Sequence, residues 1–427
     1  MLDRTIVPEI KNAIAYDFNL PSVNHSQLDN GIDLYWLKAG AQEVVQLEFV
    51  FKAGIWFENQ TAIAQTTAAL LKNGTLSKNA EAINEAIEFY GASLKVSANN
   101  DYAILTLSTL SKHLKHILPI VLEILTAAQF PESELDIYKQ NAIQRLTVNL
   151  LRGDFVSNRL IDAQMFGKHH PYGRYTEIAD INAITTTALR AFHASHYTPE
   201  NCTIFFAGQF TDQDLALVKT MFGAQNWSRG QSELQPNWNT ESSTTLKSRV
   251  ENDPKSVQGA IRIAKAIPNR DHPDFAPAIV MNTIFGGYFG SRLMSNIREE
   301  KGYTYGIYSQ FYAYKEEAMM LIATEAGKDV AELAVAEVFK EMKLMQEEKV
   351  EEEELLLVKN YLLGNLLGDL DGPFSIMARW KSLILNNMTI DNFNNNIQIY
   401  KNITPEDVQR LAQSYLTADK YYDLIVY

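Results

Sequence analysis

Apolar residues recur at every second position through Val45, Leu47, Phe49 and Phe51, and the alternation returns over residues 102–110. A period of two turns one side of the chain toward a buried face, so both stretches are expected to be half-buried strands. Between them, residues 58–72 are apolar and rich in Ala, the pattern of a buried helix. Ser77 offers an N-cap for a second helix that stops at Gly91. Longer helical patterns cover residues 112–128 and 132–152. Another begins at Ile184-Thr185 and reaches Tyr197-Thr198-Pro199, just before the strand-like Ile204-Phe205-Phe206. Strands followed by runs of helices predict an α+β sandwich, with helices on one face of a mainly antiparallel sheet.

The end of the chain repeats this grammar. Ile403-Thr404 begins a helical pattern that reaches Leu416-Thr417-Ala418 and is followed by Leu424-Ile425-Val426, at an offset of 219 from Ile184-Thr185. Glu134-Leu135 followed by Lys139 matches Glu354-Leu355 followed by Lys359 at an offset of 220. Two matches at nearly one offset favour an internal duplication over two unrelated helix–strand units. Residues 223–248 are rich in Gly, Ser, Gln, Asn and Thr and carry no apolar period, so they read as a linker. The expected fold is two homologous α/β sandwich domains, 1–222 and 249–427, joined by 223–248.

Composition narrows the function. A chain of 427 residues with 46% hydrophobic and 21% charged side chains is globular and long enough for several cores. The net charge of −13 is shared by both halves, which argues against nucleic acid and anionic membranes as partners. One cysteine, Cys202, excludes an internal disulfide and a cysteine-rich zinc module, and its apolar neighbours mark it as a small core residue. The start, Met1-Leu2-Asp3-Arg4, lacks the basic and apolar regions of a signal peptide, and no run of about 18 apolar residues is present. A cytoplasmic location is the expectation.

Several stretches could carry chemistry. The acidic run Glu351–Glu354 suits a solvated helix start better than a cation site. The glycines of Phe285-Gly286-Gly287-Tyr288-Phe289-Gly290 follow a helical pattern, not a strand, and lack the G-x-G-x-x-G spacing. They read as a flexible break between two helices. His113/His116 and His193/His196 are each spaced i,i+3, yet neither pair carries a glutamate base in a metalloprotease arrangement, so packing is the plainer role. His169-His170 suits a loop-packing role.

The segments Ser291-Arg292-Leu293, Ile297-Arg298-Glu299 and Gly302-x-x-Tyr305 resemble the C-terminal signature of the pitrilysin/insulinase family of inverted-zincin peptidases, to which mitochondrial processing peptidase belongs. Lys52-Ala53-Gly54, Glu58, Gly74-Thr75, His170-Pro171-Tyr172-Gly173-Arg174 and Thr198-Pro199-Glu200-Asn201 also match, so the likeness spans nearly the whole chain. The resemblance implies that Arg298 holds the substrate main chain and Tyr305 stabilises the oxyanion, two roles suited to a forked cation and a neutral phenol donor. By the same family resemblance, the alternative for His169-His170 is the wall of a substrate groove. Read without the family, Arg298 is a helix-surface partner of Glu299 or Glu300 and Tyr305 a core residue.

The family's zinc motif, H-x-x-E-H on the helix before Gly-Thr, is lost. Its positions hold Gln65-Thr66-Thr67-Ala68-Ala69, so the His ligands are replaced by Gln65 and Ala69 and the base by Ala68. The distal acidic ligand, about 75 residues on, falls at Gln144-Arg145-Leu146, and no Asp or Glu lies between Asp136 and Asp154. No metal or other cofactor is therefore expected in this chain. Some family members form unequal pairs, one chain with zinc and the other with the Arg/Tyr pair. The resemblance implies that this chain, inactive alone, serves a zinc-bearing H-x-x-E-H homologue that cleaves unfolded peptides. The alternatives are a catalytically dead scaffold and a peptide-binding homodimer.

Overall fold

A computed structural model describes residues 7, 12–224, 227 and 236–427. Most of the N-terminal segment read above for a leader, and residues 225–226 and 228–235 of the expected linker, lie outside the described residues. The chain forms two compact units, one made of 22–262, 372–381 and 422–427, the other of 1–21, 263–371 and 382–421.

The first sheet holds β1 (Asn24–Gln27), β2 (Asp33–Lys38), β3 (Val44–Phe51), β4 (Ser93–Ala98), β5 (Ala103–Leu110) and β6 (Cys202–Gly208), in the order β1-β2-β6-β3-β5-β4. Every pairing is antiparallel except that of β2 with β6. Val45, Leu47, Phe49 and Phe51 are buried as their spacing requires. β3 nevertheless departs from a half-buried strand, because Glu48 on its other face is also buried, where it takes Lys381 Nζ at 2.7 Å. Cys202 is buried in β6, and burial pushes its thiol pKa up, so it is an unreactive core residue.

The helices follow the apolar spacing, with two corrections at their ends. The helix Ala80–Glu88 is capped by Asn79, whose side chain accepts the Ala82 amide, and not by Ser77. The helix expected over 132–152 ends at Asn149, and a separate helix, Gly153–Phe166, follows it.

Ser77 is drawn instead to Glu123, whose carboxylate accepts its hydroxyl and amide, the Thr75 hydroxyl at 2.6 Å and Lys78 Nζ at 2.7 Å. Burial acts to raise the Glu123 pKa. The hydrogen bonds from Lys78, Ser77 and Thr75, with the Lys78 charge, outweigh it and hold the carboxyl at about 2. A depressed folded pKa gives stability that is present above the ordinary carboxyl range and lost as pH falls toward 2. Solvent screening reduces the gain to about 1–2 kcal/mol. Glu123→Gln is expected to cost about that much at pH 7 and progressively less below pH 4.5, read from urea midpoints across that range.

The second sheet holds β7 (Lys247–Val250), β8 (Gln258–Ala266), β9 (Thr304–Ala313), β10 (Ala318–Gly327) and β11 (Tyr422–Val426), in the order β7-β11-β8-β10-β9. β7 pairs parallel with β11 and β9 antiparallel with β10. Apart from β1, the two sheets share one plan. In each, the last strand of the repeat enters between the first two, parallel to the first. The helices before those last strands, Thr186–His196 and Pro405–Tyr415, are capped by Thr185 and Thr404 at the expected offset of 219. The fold is mixed α/β with a duplicated sheet plan.

Candidate functional site

Arg298 and Tyr305 belong to one unit and flank one turn. The helix Phe275–Asn282 runs into a widened π-helical turn, Thr283–Gly287, and a second π-helical segment spans Met294–Glu300. Such widening is rare and recurs at functional sites. Both segments are fastened to β9. Asn282 Nδ2 donates to the Ser309 carbonyl at 3.0 Å and Asn282 Oδ1 accepts the Ser309 hydroxyl, while the Ile307 amide points at Met294 Sδ at 3.4 Å. A Cβ on Gly286 would lie 2.7 Å from Ser309 Cβ and 2.9 Å from Ser309 N. Gly286 is thus required for close approach to the strand, which corrects its reading as part of a flexible break.

Beyond the second π segment the chain turns at Gly302, at φ +65°, and the Tyr303 amide donates to the Ile297 carbonyl at 3.0 Å. This bond ties the residue before Arg298 to the residue two positions before Tyr305. Arg298 lies 4.6 Å above the Phe289 ring and 3.5 Å from Glu299. Tyr305 is 94% exposed, so its reading as a core residue is wrong. Phe289 and Tyr308 are exposed as well. In the β9–β10 register, Thr304 faces Ala326 and Ile307 faces Thr324, so Tyr305 and Gly306 together oppose Glu325. That extra residue is a β-bulge, a device that re-aims a side chain. Sequence reading missed it, although Gly306 inside a strand pattern was a usable signal.

The acidic run starts the helix Glu352–Gly368 with Glu351–Glu353 exposed, as expected of a solvated start. Glu354 is the exception, since it receives a two-pronged bond from Arg292 at 3.0 and 2.8 Å.

The lost zinc motif lies in the other unit. Gln65 and Ala69 are exposed one turn apart on the helix Ile63–Leu70, and Ala68 is buried. Gln144 and Arg145 are exposed on Glu132–Asn149, a helix that packs on the first. Glu58 anchors this region. It is 2% exposed, accepts the Ala64 amide at 2.9 Å and the Ala62 amide at 3.3 Å, and pairs with Arg174 at 2.9 Å. Burial pushes its carboxyl up to about 7, against the Arg174 charge and both amides. Gly54 holds its neighbourhood by allowing contact with the Asn100–Tyr102 backbone.

Of the histidines singled out in the sequence, His169 is exposed and the others make packing contacts. His170 is buried among Trp56, Phe166 and Tyr172, and burial followed by the Arg174 charge lowers its pKa. His193 bonds the Leu125 carbonyl at 2.9 Å, and burial lowers its pKa to about 4. His196 stacks on Phe192 and His116 on Tyr90, while His113 meets the Tyr90 ring at a tilt. Among the described residues no group of three or more His, Cys, Asp or Glu is gathered in a way that could hold a metal.

Comparison with known proteins identifies this architecture. Residues 38–170 match the insulinase (peptidase family M16) model, and residues 183–362 match the peptidase M16 inactive domain. An uncharacterized zinc protease of Bacillus subtilis is 23% identical over 82% of this chain and 85% of its own length. Another, of Mycobacterium leprae, is 24% identical over 81% and 78%. A crystal structure of a peptidase M16 inactive domain from Pseudomonas fluorescens superposes with a TM-score of 0.85 at 23% identity, covering 95% of this chain and 98% of that one. A protease from Helicobacter pylori also reaches 0.85, at 16% identity, over 96% and 100%. The chain belongs to the insulinase, or M16, peptidase family.

The zinc that this family implies can be tested against the donors present. A catalytic zinc takes about three protein ligands. Gln65, Ala69, Gln144 and Arg145 offer no imidazole or carboxylate, and Ala68 has no proton-accepting group. These residues do not fit the metal.

Proposed function

We propose that this chain is the non-zinc subunit of a heterodimeric metallopeptidase. It presents Arg298 and Tyr305 to a peptide whose cleavage depends on a zinc-bearing H-x-x-E-H homologue. The observation that carries this reading is the contrast between the two units. The zinc positions have lost every ligating side chain, whereas Tyr305 is set on a bulge, almost fully exposed, seven residues after a partly exposed Arg298. A phenol that packs against nothing adds little to the fold, so its display suits a ligand. Arg298 can hold a substrate carbonyl through its planar fork, and Tyr305 can donate to the oxygen on which negative charge develops. Substrate would be an unfolded peptide added as a strand to a sheet edge. β4 is such an edge, and it packs on the helix that bears Gln65 and Ala69.

The test is reconstitution. This chain alone is expected to bind no stoichiometric zinc and to cut no peptide. Mixed with an H-x-x-E-H homologue from the same genome, it is expected to raise peptidase activity above that of either chain. Zinc and activity in this chain alone would overturn the reading. Peptide binding by a stable homodimer, with no gain on mixing, would favour a peptide-binding homodimer instead. Neither binding nor activity would favour a scaffold.

A further inference from the structure

A cavity of about 440 Å³ lies between the end of Glu132–Asn149, the helix Gly153–Phe166 and the start of the short helix Ile178–Ala183. Its size is that of a small-molecule site. Leu150, Val156, Leu160 and Ile178 form an apolar wall, and one cation, Arg159, faces it. The Arg159 guanidinium is held by aromatic faces, 4.3 Å from the Tyr175 ring centre and 5.5 Å from that of Phe155, and by one bond to the Thr176 carbonyl at 2.7 Å. Among the described residues it makes no ion pair. Glu177, at the rim, caps its own helix through the Asp180 amide and sits within range of the Arg159 charge.

We infer that this cavity is a binding site for the free carboxyl end of a peptide whose last residue is apolar. A guanidinium braced by two rings and one carbonyl keeps donors for a carboxylate and is already oriented, so little entropy is lost when it binds. The wall supplies the apolar contact beside that carboxylate. The Glu177 carboxylate disfavours ligands carrying more than one negative charge. The occupant is a peptide because of the function proposed above, and the inference rests on that reading.

The test needs only this chain. Fluorescence anisotropy would measure binding of a labelled pentapeptide ending in Ala-Leu, as the free acid and as the C-terminal amide. The acid is expected to bind roughly 10–100-fold more tightly, the span of one charged hydrogen bond. Arg159→Met is expected to remove that difference, and Arg159→Lys to restore part of it. Circular dichroism would establish that each variant is folded, and Leu160→Ala, which keeps the cation, is expected to weaken both peptides alike. Equal binding of acid and amide to the wild type would overturn the inference and leave the peptide-binding reading standing. Binding of neither would overturn the inference, while the proposed function would still stand or fall on the reconstitution. Octanoate displacing the free acid at equal concentration would identify a simple fatty acid as the ligand and overturn the peptide assignment.

Discussion

Tyr305→Phe is expected to lower kcat of the reconstituted two-chain peptidase by about 100–1000-fold, the usual effect of deleting one oxyanion donor. KM should change little, because the phenol donates most strongly once the carbonyl oxygen has become negative. Arg298→Ala should act differently. A group that holds the substrate main chain binds ground state and transition state alike, so its loss raises KM more than it lowers kcat. Neither change should unsettle the fold. Tyr305 is 94% exposed, and Arg298 has a 3.5 Å ion pair with Glu299 and the Phe289 ring as its partners. Exposed pairs of this kind contribute about 0–1 kcal/mol. Full activity in both variants would remove the in-trans role and leave a relic pair on a scaffold.

Glu58→Ala is expected to cause the largest loss of stability, about 3–5 kcal/mol by urea unfolding. Arg174 has a side chain only 14% exposed and would keep its charge without the carboxylate. The Ala62 and Ala64 amides, at the start of the helix that carries Gln65 and Ala69, would lose their acceptor. Adding Arg174→Met should recover part of the loss, because it removes the stranded charge. A cost as small as that of a surface pair, below about 1 kcal/mol, would show that water reaches the Glu58 site.

How far the site could be read in advance depended on the kind of information each part needs. Strands β3, β5, β6 and β11, with the helices before β6 and β11, were legible because strand period and helix caps are local. Thr185 and Thr404 announce equivalent helices in sequence and cap them in space. The empty zinc motif was legible because ligation depends on residue type, and Gln65, Ala68 and Ala69 lack the chemistry wherever they lie. The state of Tyr305 was not legible. Its setting in an apolar and aromatic stretch suits a buried strand equally well, and only the pairing of β9 with β10 shows the bulge that turns it outward. The Glu58–Arg174 pair was hidden for a related reason. Its members are 116 residues apart, and a carboxylate beside Trp56 and Phe57 carries no local sign of its partner.

By itself, the sequence determined the fold class, the duplication and the absence of ligating side chains at the zinc-motif positions. Each follows from short-range spacing or from the functional groups a side chain possesses. The tertiary structure alone decided which side chains face solvent, which charges are buried together, and that Gly286 is packed tightly against Ser309. Those outcomes depend on contacts between residues distant in the chain, and they are set by register and close packing, which no local pattern encodes.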